Sequence, residues 1–222
     1  MTDVSGGVVA AALAGVPAGV QSLGPWSGRR QLFVRFAGEA ETATMYVATA
    51  LVRELARQQS RSQFHSIVVG GRDALGNVPF LLAAFALQKP TIPVMLDTDG
   101  QRPTELAALL PYLSLVQVTV EFGGGDASMD HAIATLRVAA QAGCAHALAI
   151  VTREDTPDSQ ILRLVEGARG VSAQTQVVIH PYQTTDTMNT LDRRWATLLE
   201  QATTRHMDTR LGLRIPPPTG LR

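Results

Sequence analysis

Cysteine is nearly missing from this sequence: among 222 residues there is one, Cys144. A disulfide framework, a cysteine-rich structural zinc site and a cysteine-ligated iron–sulfur cluster are therefore excluded within a single chain. Charge is scarce as well, at 17% of residues, and 19 basic side chains balance 19 acidic ones. A protein that grips nucleic acid through its phosphates needs a basic excess, and this chain has none. Long apolar runs are absent too. The early stretch Val8–Val20 is broken by Gly15 and Pro17, lacks the basic flank of a secretory signal, and is too short to span a bilayer. The expectation is a soluble cytoplasmic protein with no membrane and no nucleic-acid partner.

What the chain does have is apolar material, at 45% hydrophobic residues, enough to bury a sizeable core in one domain or two small ones. From residue 31 onward, short β-branched runs alternate with helical patterns. Strands are expected at 31–38, 65–71, 92–100, 115–125, 146–152 and 176–183, and helices at 42–57, 77–88, 103–110, 128–143, 158–170 and 189–205. Pro79 and Pro103 suit first helical turns, Ser128 suits an N-cap, and Gly143 suits a helix stop.

Six strand–helix units of roughly 30 residues are what βαβ crossovers require. The strands read as near-continuous apolar runs, the pattern of a parallel sheet covered by helices. A partial, open (βα)6 barrel and a doubly wound sheet both fit, whereas a closed eightfold barrel needs about 250 residues. Residues 1–17 read as an N-terminal extension, either an added helix or a segment without fixed order, and residues 212–222 as a Pro-rich extended tail.

Polar residues gather where the strands should end: Glu39, Arg72, Asp97, Asp99, Glu121, Thr152 and His180. Parallel α/β folds bind ligands at such ends. Converging acids with a histidine would suit a divalent metal, but strand ends meet water and carry polar residues anyway. The run Gly123-Gly124-Gly125 lacks the lysine of a phosphate-binding loop and reads as a turn. Cys144 reads as a small buried hydrophobe.

The stretch Val20–Gly38, VQSLGPWSGRRQLFVRFAG, resembles the opening of the 7-carboxy-7-deazaguanine synthases, small radical S-adenosylmethionine enzymes. VVGGRDALGN (68–77) resembles that family's S-adenosylmethionine turn, and MLDTDG (95–100) resembles its Glu-Thr-Asn-Gly strand end. The resemblance runs from about residue 18 to 205 and implies one partial (βα)6 barrel over 18–211, with a mainly parallel sheet.

It also implies a lost reaction. The three cluster-ligand positions are Glu39, Ala43 and Tyr46, and the acid that would meet the S-adenosylmethionine ammonium is Arg72. A cluster is held by thiolates, so no radical can be generated here. The expectation is a protein without catalytic residues, metal or cofactor. Gly70, Gly71, Arg72, Asp97, Asp99 and Glu121 would remain as a vestigial ligand site. The expected partners are a second copy in a homodimer, an active radical enzyme or a small nucleotide-like ligand. The alternative is a cluster-free enzyme or nucleoside-binding protein that uses the acidic barrel mouth. The periodicity after residue 41 predicts that the former cluster loop, 39–48, has become the first turns of a helix, with Met45 or Tyr46 filling the vacated space.

Overall fold

The computed structural model describes residues 9–122, 125–182 and 193–214. Expectations for residues 1–8, Gly123 and Gly124, the start of the last helix at Asn189 and the tail from Ile215 lie outside them.

The chain opens with two short strands, β1 (Ala10–Gly15) and β2 (Ala18–Val20), both antiparallel to β3 (Arg30–Phe36). Then come β4 (Thr44–Val47), α1 (Ala48–Arg61), β5 (Ser66–Gly71), α2 (Val78–Leu87), β6 (Val94–Thr98) and α3 (Pro103–Leu109). The second half holds β7 (Leu115–Glu121), α4 (Gly125–Gln141), β8 (His146–Val151), α5 (Asp158–Val171), β9 (Gln176–His180), α6 (Arg193–Arg205) and β10 (Thr209–Leu211). One sheet runs β10-β9-β8-β7-β6-β5-β3-β1-β4, with β2 on β3, and every pairing from β3 to β10 is parallel. The sheet ends on β4 and β10 and does not close.

Alternation along the strands sorts the sheet into two faces. Leu32, Val34, Ile67, Val69, Leu96, Val116, Val118, Leu148 and Ile150 join the helices in one large core. Their neighbours Val68, Met95, Leu115 and Ala147 form a separate cluster with Phe33 and Trp26. Among the described residues helices cover the outer face alone, so the inner face is the lumen of a partial barrel-like sheet. Helix α1 meets the core through Ala48, Leu51 and Leu55, one stripe at helical spacing. Pro79 and Pro103 lie in first helical turns, and Gly143 takes φ +69° where α4 stops. Ser128 lies inside α4 rather than capping it, because the helix starts at Gly125.

Two expectations about the N-terminal region are corrected. Ala10–Gly15 is neither helix nor without order: it is a strand with Leu13 fully buried. The segment 39–48 is not the start of a helix. Residues 44–47 form β4, antiparallel to β1 with Ala10 opposite Val47 and Leu13 opposite Thr44, and α1 begins only at Ala48. The physical reason is the free edge of β1, whose unpaired backbone groups need a ladder partner; Thr-Met-Tyr-Val supplies one with residues suited to a strand. Met45 is 67% exposed and fills no space, while Tyr46 packs in part against the core.

Candidate functional site at the strand ends

The C-terminal ends of β5, β6 and β7 frame a cleft of about 340 Å3. Asp97, Asp99, Thr119 and Glu121 line it, with Gly71 and Ser128 at its sides. Of the expected site residues, Gly71, Asp97, Asp99 and Glu121 therefore come together. Gly70 sits beside them, its Cα facing the Asp97 carbonyl so closely that a Cβ would lie 3.3 Å from that oxygen. Gly71 has φ +92°, and a Cβ there would strike the Phe36 carbonyl at 2.4 Å, so this turn admits glycine alone.

The Asp97–Gly100 turn is fixed from behind. Gly100 at φ +84° donates to the Thr98 hydroxyl at 3.2 Å, and its carbonyl accepts from Thr135 of α4 at 2.9 Å. Asp99 accepts from the Gln101 amide at 3.1 Å. Asp97 accepts a short bond, 2.6 Å, from the Thr119 hydroxyl, which in turn accepts from the Gln117 amide at 3.2 Å. Burial pushes the Asp97 carboxyl up, the Thr119 and Gln117 bonds pull it partly back, and nearby Glu121 raises it again. Among the described residues no cation pairs with Asp97.

Arg72 does not enter the cleft. It pairs with Glu39 at 2.6 Å on the exposed rim, while Arg35 pairs with Glu41, whose other oxygen accepts from the Gly38 amide at 2.9 Å. Asp73, in the left-handed conformation at φ 47°, is no substitute acid for the neighbouring position. It binds Arg102 through both oxygens, at 2.6 and 2.9 Å, and also accepts from the Gly76 amide at 3.1 Å.

His180 is also elsewhere. It ends β9, is 1% exposed, and its Nε2 accepts from the Gly24 amide at 2.9 Å. Burial holds its pKa down to about 4, helped by Arg214 and Arg210, against the backbone of Gly212. That environment favours the neutral imidazole. Cys144 precedes β8, at the opposite end of the sheet from the cleft, half-buried with its thiol pushed up by burial. Among the described residues no group of three or more His, Cys, Asp or Glu side chains is arranged to hold a metal ion, and no helix is long and apolar enough to cross a membrane.

Sequence reasoning missed the residues that occupy the lumen. Gln21, Leu23 and Gly24 are buried, and Trp26 packs into the inner cluster and edge-on against His65 at 4.9 Å. The signal was present as Leu23 and Trp26, two large apolar residues in an otherwise polar, Gly/Pro-rich turn.

No known family model matches the chain, and no curated protein matches it in sequence. Among solved structures it resembles the crystal structure of QueE from Escherichia coli, a 7-carboxy-7-deazaguanine synthase. The TM-score is 0.54 over 93% of this chain and 95% of that one, at 14% identity, so the likeness is one of fold.

The sequence resemblance implies an iron–sulfur cluster and S-adenosylmethionine, and the residues present do not fit them. Glu39 is committed to Arg72, Ala43 offers no ligand atom, Tyr46 lies in β4, and the only cysteine is at the wrong end of the sheet.

Proposed function

We propose that this chain keeps a radical S-adenosylmethionine fold without radical chemistry and acts by binding, as a non-catalytic partner or regulator. The observation that carries this reading is the ion pair between Glu39 and Arg72. One stands at a position that the sequence resemblance assigns to a cluster ligand, the other where it assigns the acid for the S-adenosylmethionine ammonium. Arg72, turned to the rim, offers that ammonium no carboxylate, and the two vacated functions now neutralise one another. The expected setting is the cytoplasm, as a homodimer or beside an active radical enzyme.

The test is anaerobic reconstitution with iron and sulfide, followed by calorimetry with S-adenosylmethionine. The protein should stay colourless and iron-free. With each lost charge-assisted contact worth about 1.5–3 kcal/mol, the loss of two or three should weaken binding at least about a hundredfold. Stoichiometric iron, or micromolar binding, overturns the proposal.

A second reading is favoured by Asp97, a half-buried carboxyl on the wall of the cleft with which no cation among the described residues pairs: a site for a small hydrogen-bonding ligand such as a nucleoside. A thermal shift with guanosine that disappears in Asp97→Asn supports it, and no shift with guanosine or with Mn2+ counts against it.

A further inference from the structure

The sheet has two ends, and the sequence treats them differently. At one end β10 carries Arg210, with Asp208 before it and Arg214 beyond, all three exposed. Charges of this kind are how sheet edges resist pairing with another chain. At the other end β4 carries none. From Thr42 to Val52 there is no charged residue, no proline and no glycine. The nearest acid, Glu41, is turned back onto Arg35 and the Gly38 amide, and the next charge is Arg53 in α1. No strand among the described residues lies beyond β4.

The register shows which groups that edge offers. Ala12 accepts from the Ala37 amide, so its backbone faces β3, and Ala11 and Leu13 on either side of it face β4. Their partners Tyr46 and Thr44 are thereby committed to β1. Met45 between them turns its N–H and C=O outward, and its side chain is 67% exposed. An apolar, unguarded strand with outward backbone groups is a template for one more strand.

We infer that β4 is a dimerisation edge, on which a second copy of this chain pairs antiparallel about a twofold axis at Met45, joining two sheets into one. A second copy fits because the edge is its own complement. Residues 43, 45 and 47 are spaced evenly about that axis, which sets Met45 opposite its own copy, at about 5.5 Å between Cα atoms, and Ala43 opposite Val47 of the copy. No like charges meet there, whereas the same operation at β10 would set Arg210 against itself. Four residues a side bury little area, so the dimer should be weak, with a Kd on the order of 10 µM. Of the partners proposed above the edge selects the homodimer, and it does so whether or not radical chemistry has been lost.

Sedimentation equilibrium of the full chain from about 1 to about 500 µM should show monomer passing to dimer. Met45→Lys and Met45→Glu change an exposed side chain, so each should keep the wild-type urea midpoint and stay monomeric. An equimolar mixture of the two should associate, because the twofold sets lysine against glutamate. The wild-type Met45 amide needs no variant. At about 500 µM only about a tenth of the chains remain monomeric, so it should exchange about tenfold slower than at about 1 µM. A wild type that stays monomeric throughout, a dimer that survives Met45→Lys, variants that do not associate when mixed, or a Met45 amide indifferent to concentration would each overturn the pairing. None of these results would alter iron uptake or S-adenosylmethionine affinity, which test the loss of radical chemistry separately.

Discussion

The two faces of the sheet are built from the same strands and behave as different materials. Toward the helices, β3, β5, β6, β7 and β8 present Val34, Val69, Leu96, Val118 and Ile150, all 1% exposed or less. One residue along, toward the lumen, the same strands present Arg35, Gly70, Asp97, Gln117 and Ala149. The outer face is apolar and closely packed. The inner face carries a glycine whose Cβ would crowd the Asp97 carbonyl, a carboxyl raised by burial and a glutamine with an unpartnered oxygen. Stability is concentrated on one face, and the groups that work against stability lie on the other. Such a division is how a fold holds a strained or polar site without unfolding.

The sharpest way to break this contrast is to cut into the outer face. Phe80 of α2 is 1% exposed and packs edge-on against Phe36 at 6.2 Å. Phe80→Ala should cost about 3–5 kcal/mol in urea unfolding, by lost transfer energy plus a cavity. A loss below about 1 kcal/mol would mean that the outer face relaxes as readily as the inner one.

The outer face was also the legible one. Apolar runs at 66–71, 94–98, 115–121, 146–151 and 176–180, separated by helical stripes, sufficed for the parallel sheet, while the open barrel over a doubly wound sheet rested on the resemblance. The inner face is written in the same segments but is easily overlooked. Leu-Val-Gln-Val-Thr-Val-Glu (115–121) alternates, and its polar phase, Gln117, Thr119 and Glu121, is the site wall. Reading it as a continuous apolar strand hid that phase. Asp97, Asp99 and Glu121 were legible because strand ends in this class converge. His180 was not, because only the tertiary fold brings Gly24, 156 residues away, onto its ring. Strand β4 was missed for a related reason: its residues fit a helical stripe, and the free edge of β1 that recruits them is a non-local fact.

Acid is a second probe of the inner face. A buried neutral His180, with a pKa of about 4 against 6.5 unfolded, makes the unfolded state the better proton binder between those values. Stability should therefore fall as pH drops from 6.5 toward 4 and the His180 contribution should level off below, a loss of about 3 kcal/mol in all. Carboxylates titrate in the same window, so the measurement is the difference between wild type and His180→Gln. The glutamine keeps an acceptor for Gly24 and should flatten this part of the profile. Parallel profiles would place His180 in a wetter site than its burial indicates.

Asp97 gives the opposite sign. Its carboxyl is raised above the unfolded value of 3.8, so the folded state loses stability as pH climbs through that raised value. Asp97→Asn should then stabilise the chain at neutral pH by about 1 kcal/mol, the scale of one poorly compensated polar group. The gain should vanish in acid, where the carboxyl is protonated in both states. A destabilised Asn variant would mean that the Thr119 bond outweighs the burial of the charge, and that the cleft is structural rather than a site held at some expense of stability.

The smallest effect belongs to the pair on which the proposed function leans. Glu39 and Arg72 are 81% and 59% exposed at their side chains, so water screens their attraction. A double-mutant cycle through Glu39→Ala and Arg72→Ala should return a coupling of about 0.2–1 kcal/mol that shrinks in high salt. So weak a pair is not what holds the mouth of the barrel together, and that is why it informs function. Two charges of little structural value stand where the resemblance puts a cluster ligand and a carboxylate for an ammonium group. Reversing only one of them, in Arg72→Glu, sets two acids side by side and should lower stability by no more than about 1 kcal/mol. It leaves Ala43 and Tyr46 in place, so it should not restore iron binding on reconstitution. A cluster regained by that single change would show that the lost thiolates were never the obstacle, and the radical-free reading would fall with it.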